Sequence, residues 1–410
     1  MVSIFKICYN YTSMNMKYYL DYAAATPTDK KVFEAMKPYF SEYFFNPSAA
    51  YSVSRNVRAD YEDARHEIAK ILGARSAEIV ITAGVTEAIN IALGCVGEGE
   101  IITSAIEHDS VLKTAQAKNA IILPVNEEGN LNLNQLREKI TDKTRLLAFT
   151  YVNSEIGIVL PVKEISKIVR EIREDRLERG VKNPIYFHID AAQAAGILDL
   201  NVARLGVDLM SISAAKCYGP KQVGALFVRA GVQVEPVVLG GGQEMGLRSG
   251  TENVAGAVGF SKALEIAEKK RKSEVKRLKE IRGNLTGFFR ENFDGCHING
   301  GGKNQSPAIL SVAIPNLDGE RAVFALDSRG VYVSTGSACA ANSGIRSHVL
   351  TALGLPENIV DGSLRISLGR DFDEKNLGSL KEIFKDVLGE QLKFGQETTA
   401  EMFTESGIKK

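Results

Sequence analysis

The chain lacks a C-x-x-C pair. Its five cysteines (Cys8, Cys95, Cys217, Cys296 and Cys339) stand at no metal-ligand spacing, so no metal site is expected. So sparse and odd a set argues against a disulfide framework and points to a reducing compartment, here the cytoplasm. Charge of one sign is also missing: 50 basic residues balance 50 acidic ones, which speaks against bulk binding to nucleic acid or an anionic membrane. No apolar run reaches the roughly 18 residues a membrane helix needs. There is no internal repeat and no low-complexity segment. The first 15 residues, "MVSIFKICYNYTSMN", are too polar and broken for a signal peptide. With Met14 and Met16 close before "KYYLDYAAATP", they read as an extension.

What is present is ordinary globular material, 410 residues of which 44% are hydrophobic, enough for two or three domains with a large core. Short β-rich apolar runs occur at 78–82, 100–104, 120–125, 145–151, 185–190, 208–212 and 224–228. Helical patterns lie between several of them, at 53–72, 86–95, 109–118, 134–140 and 161–179. That rhythm predicts an α/β fold with a mostly parallel central sheet. Ligands bind such sheets outside the carboxyl ends of the strands, so polar residues just after strands are the candidates. From about 252 to 291 a long charged helix is expected, its Lys-rich run 269–279 a solvated face. Strands at 308–315 and 363–368 with two helices predict a second, smaller α/β unit, and the polar tail from Gln396 reads as frayed.

Lys216 ends the apolar run "VDLMSIS" and could form a Schiff base with an aldehyde cofactor; Lys221 is a rival. Asp190 ends the strand of "YFHIDAAQAAG" and could pair with a pyridine nitrogen, or merely cap a helix from Ala191. Gln193 is near enough to share that place. In "IVITAGVTEAIN" Gly84 permits a tight turn, and Val85 and Thr86 open a helix whose free N–H groups suit a phosphate. His108 follows another strand, where a flat ring could stack on a cofactor and move protons. "LGGGQEMGLRSGTEN" is a glycine-rich loop ending at Thr251 that could approach an anion. Cys339, among small polar residues in "YVSTGSACAANSG", has the setting of a reactive thiol, whereas Cys217 reads as a packing residue.

These segments, with "NPSA", "EIGIVLPV", "KCYGPKQVGAL" and "LRISLGRD", occur in one order from about Tyr18 to Leu388. That order resembles the cysteine desulfurases, pyridoxal-phosphate enzymes of the class V aminotransferase group, in the branch serving iron–sulfur cluster assembly and tRNA thiolation. The resemblance implies a fold type I transferase. A large cofactor-binding domain would span 29–265, a small domain 16–28 and 266–395 with the catalytic-cysteine loop, and 396–410 would be a flexible tail. It implies a homodimer that takes L-cysteine, gives L-alanine and a persulfide on Cys339, and passes the sulfur to an acceptor or scaffold protein. Lys216 would hold pyridoxal 5'-phosphate and shuttle a proton, Asp190 pair the ring nitrogen, Gln193 contact the phenolic oxygen, and His108 stack on the ring. Thr86, Ser213 and the Val85 backbone would bind phosphate, and Thr251 the partner subunit's phosphate. Arg365 would grip the substrate carboxylate, with Asn153 beside it, and Cys339 would attack the substrate sulfur and could bind a cluster transiently with a partner. Selenocysteine lyase, another class V enzyme and a weakened paralogue are the alternatives.

The chain departs from the pattern near the chemistry. Ala215 stands where the family has a phosphate-binding histidine, and Ser154 where it has a cofactor-contacting asparagine. Gln243 and Tyr51 also replace common histidines. Asn153 is adjacent to Ser154, but neighbours in extended backbone face opposite ways.

Overall fold

The computed structural model describes residues 18–336 and 346–405, with the backbone alone for 394–405. The expected extension over 1–15 and Cys339 lie outside the described residues.

A short strand β1 (Tyr18–Tyr19) precedes helices α1 (Lys30–Met36) and α2 (Ser52–Leu72). α2 buries Val57, Tyr61, Ala64, Ile68 and Leu72, a spacing of three and four residues that turns one stripe to the core. Gly73 ends it in the left-handed conformation at φ 67°. Strands and helices then alternate: β2 (Ile79–Thr82), α3 (Val85–Leu93), β3 (Glu100–Ser104), α4 (Asp109–Gln116), β4 (Ile121–Leu123) and α5 (Leu133–Lys139). There follow β5 (Thr144–Thr150), α6 (Val162–Glu178), β6 (Tyr186–Asp190), α7 (Val202–Leu205), β7 (Leu209–Ser213) and β8 (Gly224–Val228). The seven strands make one sheet in the order β2-β8-β7-β6-β5-β3-β4. β8 runs antiparallel to both neighbours and every other pair is parallel. The mostly parallel sheet read from the sequence is present, and β5, β6 and β7 are nearly all buried. Burial on both faces is why they read as unbroken apolar runs.

α8 (Val254–Asn292) links two apolar clusters. Its first turns pack Val254, Ala257, Phe260 and Leu264 into the cluster around the sheet, and Leu278, Ile281, Leu285 and Phe289 belong to a second. The five lysines of 269–279 between them are exposed. The second cluster surrounds the antiparallel sheet β12-β10-β9, built from β9 (His297–Ile298), β10 (Ile309–Ala313) and β12 (Ser363–Ser367). α9 (Gly319–Ser328), β11 (Val331–Tyr332) and α12 (Leu377–Glu405) complete it, whereas Val349 and Leu350 of α10 (His348–Ala352) and Val360 of α11 (Glu357–Asp361) belong to the first cluster. β1 pairs in parallel with β11 and so brings the N-terminal segment to this unit. α12 continues through Gln396 to Glu405, where fraying was expected: no glycine or proline stands between those residues to stop it. Among the described residues no helix is long and apolar enough to cross a membrane.

Candidate active site

Lys216 stands in a single 3-10 turn directly after β7. Its Nζ donates to the carbonyls of Ala23 at 2.8 Å and Ala24 at 2.5 Å. Gln193 Nε2 donates to the same Ala23 oxygen at 2.8 Å. The segment that supplies these carbonyls is pinned in turn, since Thr26 donates its N–H and its hydroxyl to Ala215 O, at 3.2 and 2.9 Å. The lysine amine is therefore held at the strand end with little freedom. Cys217 beside it is buried, and burial pushes its thiol up to about 12, which suits packing and not reaction.

β6 delivers Asp190 between Thr150 of β5 and Ser211 of β7. The buried carboxylate accepts the Ala192 N–H at 2.9 Å. Turns and no helix follow at Ala191, so the aspartate closes a turn and caps nothing. Burial raises its pKa, against the Ala192 N–H and the positive potential of His108 and Lys216. A carboxylate in such a place is stabilised by a cation brought to it.

Gly84, at φ 145°, turns the chain from β2 into α3, and Val85 and Thr86 present the helix N-terminus. Gly224 pairs with Thr82 on one side and Ser213 on the other, and a Cβ there would lie 2.8 Å from the Gly84 backbone. Only glycine allows this approach, which sets the buried Ser213 beside the turn. His108 caps α4, its Nδ1 accepting the Ser110 N–H at 3.1 Å, which leaves Nε2 as the ring nitrogen able to donate. The residue before it, Glu107, is wholly buried. Ser104 Oγ is 2.5 Å from its Oε1, and the Thr150 N–H donates to Oε2 at 2.6 Å. Burial outweighs these bonds and pushes the carboxyl up to about 8.

Asn153 opens a tight turn. Its Nδ2 donates to Ile106 O at 2.6 Å, and its Oδ1 accepts the N–H groups of Glu155 and Ile156, both at 2.9 Å. The extended backbone assumed for this pair is absent, and Asn153 and Ser154 face the same space. Asn153 uses its amide to shape the turn and lines the cleft beside Arg365. Arg365, on β12, donates from Nη1 to Ser154 O at 3.2 Å and from Nη2 to Asp21 Oδ1 at 2.7 Å, and its buried Nε has no partner.

Val85, Thr86, His108, Asn153, Ser154, Asp190, Gln193, Lys216 and Arg365 line one cleft with about 1000 Å³ of empty space. Ser213 is not in its lining, and Thr251 is exposed on the glycine-rich loop outside it. That loop is anchored by the buried Glu244, which accepts from Tyr61 Oη at 2.7 Å and from Arg65 Nη1, Arg65 Nη2 and the Ile81 N–H, each at 2.6 Å. The sequence reading missed Asp21, Ala23, Ala24, Glu107 and Glu155. The small-residue run "AAAT" was the one local signal that backbone comes close to something there.

The cleft suits pyridoxal phosphate: an amine for its aldehyde, a buried carboxylate for its ring nitrogen, a helix N-terminus for its phosphate and a flat ring alongside. Fold and donor set together are those of a fold type I pyridoxal-phosphate enzyme. The aminotransferase class-V profile matches residues 18–380, and the chain belongs to that family. The chain is 39% identical over 386 residues to the cysteine desulfurase IscS of Dictyoglomus turgidum, covering 92% of this chain and 95% of that one. To the cysteine desulfurase IscS of Methanosarcina thermophila it is 38% identical over 391 residues, 92% and 94% of the two chains. Among solved structures, a NifS-like protein matches with a TM-score of 0.82 at 32% identity, over 91% of this chain and 99% of its own. SspA in complex with cysteine matches with a TM-score of 0.72 at 34% identity, over 86% and 98%.

Proposed function

We propose that the chain is a cysteine desulfurase that converts L-cysteine to L-alanine and leaves the sulfur as a persulfide on Cys339. The observation that carries this is the meeting of Lys216, Asp190, the α3 N-terminus and Arg365 in one cleft, in a chain alike over nearly its whole length to named cysteine desulfurases. Lys216 would hold the cofactor through Nζ, Asp190 its ring nitrogen, Val85, Thr86 and Ser213 its phosphate, Gln193 its phenolic oxygen, with His108 and Ser154 against the ring. The bound cofactor supplies an electron sink for the substrate. Arg365 orients the substrate carboxylate with its planar fork. Lys216 Nζ moves protons at the substrate carbon once its amine is free. The Cys339 thiolate then takes the substrate sulfur: an S–S bond forms, the carbon–sulfur bond breaks, and its electron pair stays with the carbon, which takes a proton and leaves as alanine.

The persulfide passes to an acceptor or scaffold protein for iron–sulfur cluster assembly or tRNA thiolation, in the cytoplasm. The free thiols of Cys217 and Cys296 agree with that compartment. The working unit is a homodimer, with Thr251 completing the partner's site. Exposed Phe40, Phe44, Tyr51, Leu239 and Met245 support an interface there. A large unit over 29–265 and a small one over 16–28 and 266–395 follow the two apolar clusters for the most part, with α8 continuous between them, while Ala23, Ile309, Val349, Leu350, Leu353 and Val360 of the small unit join the large unit's cluster. Cofactor-loaded protein given cysteine and a reductant releases alanine and sulfide in equal amounts, and Cys339→Ala releases neither. A loaded sample without turnover overturns the reading. A Cys339→Ala variant with full activity replaces it by a transaminase-type reaction.

A further inference from the structure

Tyr218, two residues after Lys216, has a left-handed backbone at φ 65°. A bulky side chain takes that conformation only where its surroundings impose it, and residues so held cluster at working sites. Tyr218 does not line the cleft. Its main chain is bonded on both sides to the segment after β1: the N–H donates to Thr26 Oγ1 at 2.8 Å, and the carbonyl accepts the Asp29 N–H at 3.0 Å. The turn that ends in Lys216 closes within the same stretch, since Cys217 and Gly219 donate their N–H groups to Ala214 O at 3.1 and 2.9 Å. Lys216 and Tyr218 therefore belong to one hydrogen-bonded loop, and what fixes the tyrosine fixes the lysine turn.

The side chain is fixed from beyond β12. Its Oη accepts the Arg370 N–H at 2.5 Å, and the Arg370 guanidinium lies over its ring, 3.7 Å from the centroid. A guanidinium on an aromatic face is held more strongly where water is kept out, and the Arg370 side chain is only 11% exposed. Arg370 Nη1 is also 3.3 Å from Asp29 Oδ2, on the segment that binds the Tyr218 carbonyl. Arg277 of α8 holds the stretch around Arg370 in place, donating to Gly369 O and Phe372 O, both at 2.9 Å. Arg370 is thus a firm partner, and it stands three residues past the strand that bears Arg365.

We infer that Tyr218, clamped by Arg370, is a positioning residue for Lys216. The clamp keeps the chain in its left-handed conformation and so keeps the lysine turn, and the amine with it, in one place. The inference rests on the reading that Lys216 holds the cofactor and moves protons at the substrate carbon. A residue that only filled space would leave both tasks alone. A turn released from the clamp displaces the amine, and about 1 Å at a reacting atom costs roughly a hundredfold in rate.

Tyr218→Phe keeps the ring and removes the acceptor for the Arg370 N–H, while Tyr218→Ala and Arg370→Ala each remove the stacked pair. These, the double alanine variant and the wild type are prepared without cofactor. Kd is measured for pyridoxal phosphate and for pyridoxamine phosphate, whose amine cannot condense with a lysine. KM for cysteine and kcat per bound cofactor are then measured on the loaded proteins. For both alanine variants the Kd of the aldehyde should rise about tenfold and that of the amine stay within about twofold of wild type. Their kcat should fall by about ten- to a hundredfold with KM little changed. Tyr218→Phe should fall between wild type and Tyr218→Ala. The double variant should be no worse than the worse single variant, since both changes remove the same contact; losses that add show two separate roles and overturn the clamp. Where Tyr218→Ala does not fold, Arg370→Ala and Tyr218→Phe carry the test. Equal weakening of aldehyde and amine overturns the inference, because Tyr218 then supports the site as a whole. Lys216→Ala runs in parallel: if it keeps wild-type turnover, the reading of Lys216 falls and takes this inference with it. If Lys216→Ala is inactive while the Tyr218 and Arg370 variants match wild type, Lys216 stands and the clamp alone is overturned.

Discussion

Replacing Glu107 by glutamine separates burial from hydrogen bonding as the force that sets the state of the buried carboxyl next to His108 in the chain. The side chain has no exposure, and burial raises its pKa from 4.5 to about 8 despite the Ser104 hydroxyl and the Thr150 N–H. A raised native pKa means the folded protein binds this proton more tightly than the unfolded chain does. The contribution to stability is then complete below pH 4.5, and it is lost as pH rises through the window up to about 8. At about 1.4 kcal/mol per pH step the loss reaches about 3 kcal/mol at pH 7 and about 5 kcal/mol from pH 8 upward. Glutamine copies the protonated acid: its Oε1 can accept from Thr150 and its Nε2 can donate to Ser104 Oγ. The variant therefore escapes the loss. Thermal unfolding of both loaded proteins at constant ionic strength should give midpoints that nearly coincide at about pH 5 and separate, glutamine higher, by several degrees at about pH 8. The other titrating groups are shared and cancel in the difference, save Asp190, whose charge repels that of Glu107 and which the substitution relieves at the same alkaline end. A glutamine variant less stable at the alkaline end, or a gap that ignores pH, would falsify the reasoning, since the carboxylate would then be charged and held by its two donors.

Glu244→Gln breaks the buried pair with Arg65 and should cost about 3–5 kcal/mol, read as a lower unfolding midpoint, because a buried guanidinium loses its counter-charge. Arg365→Lys keeps the charge and loses the fork. KM for cysteine should rise roughly ten- to a hundredfold, corresponding to about 1.5–3 kcal/mol, with kcat changed less. Ala215→His places a donor next to Lys216 and should tighten pyridoxal phosphate by about tenfold or more, measured as a Kd by titration of the apoprotein. Lys216→Ala should abolish both the visible absorbance and turnover while the protein stays folded.

The elements were legible because each announces itself locally. Residues 100–104 and 224–228 form strands with the very bounds their apolar alternation gave, and α3 and α4 start within a residue of their patterns. The polar residues at strand ends were legible for the same reason: Asp190, Lys216 and His108 interrupt apolar runs where a parallel sheet opens. Residues that act across the chain were not. Glu107 reads as a solvated charge before α4, yet its partner Thr150 lies 43 residues on. Asp21 meets Arg365 across 344 positions, a contact no local period encodes. Asn153 failed the other way, because a strand-like reading of its segment put it on the wrong face of what is a turn.

The segment 20–26 shows what such distant contacts do for the chemistry. On one side it is stitched to β12: Ser367 donates its N–H to Leu20 O at 2.7 Å and receives the Ala23 N–H on its Oγ at 2.9 Å, and Asp21 holds Arg365. On the other side its Ala23 and Ala24 carbonyls hold Lys216 and Gln193. Arg365 and Lys216, to which we assign the substrate carboxylate and the cofactor, are therefore fixed to one short strip of backbone, although one lies on β12 and the other follows β7. Hydrogen bonds at both edges leave that strip no independent movement. A shift of β12 relative to the large sheet must either carry the carbonyls away from Lys216 or break the pair of Asp21 with Arg365.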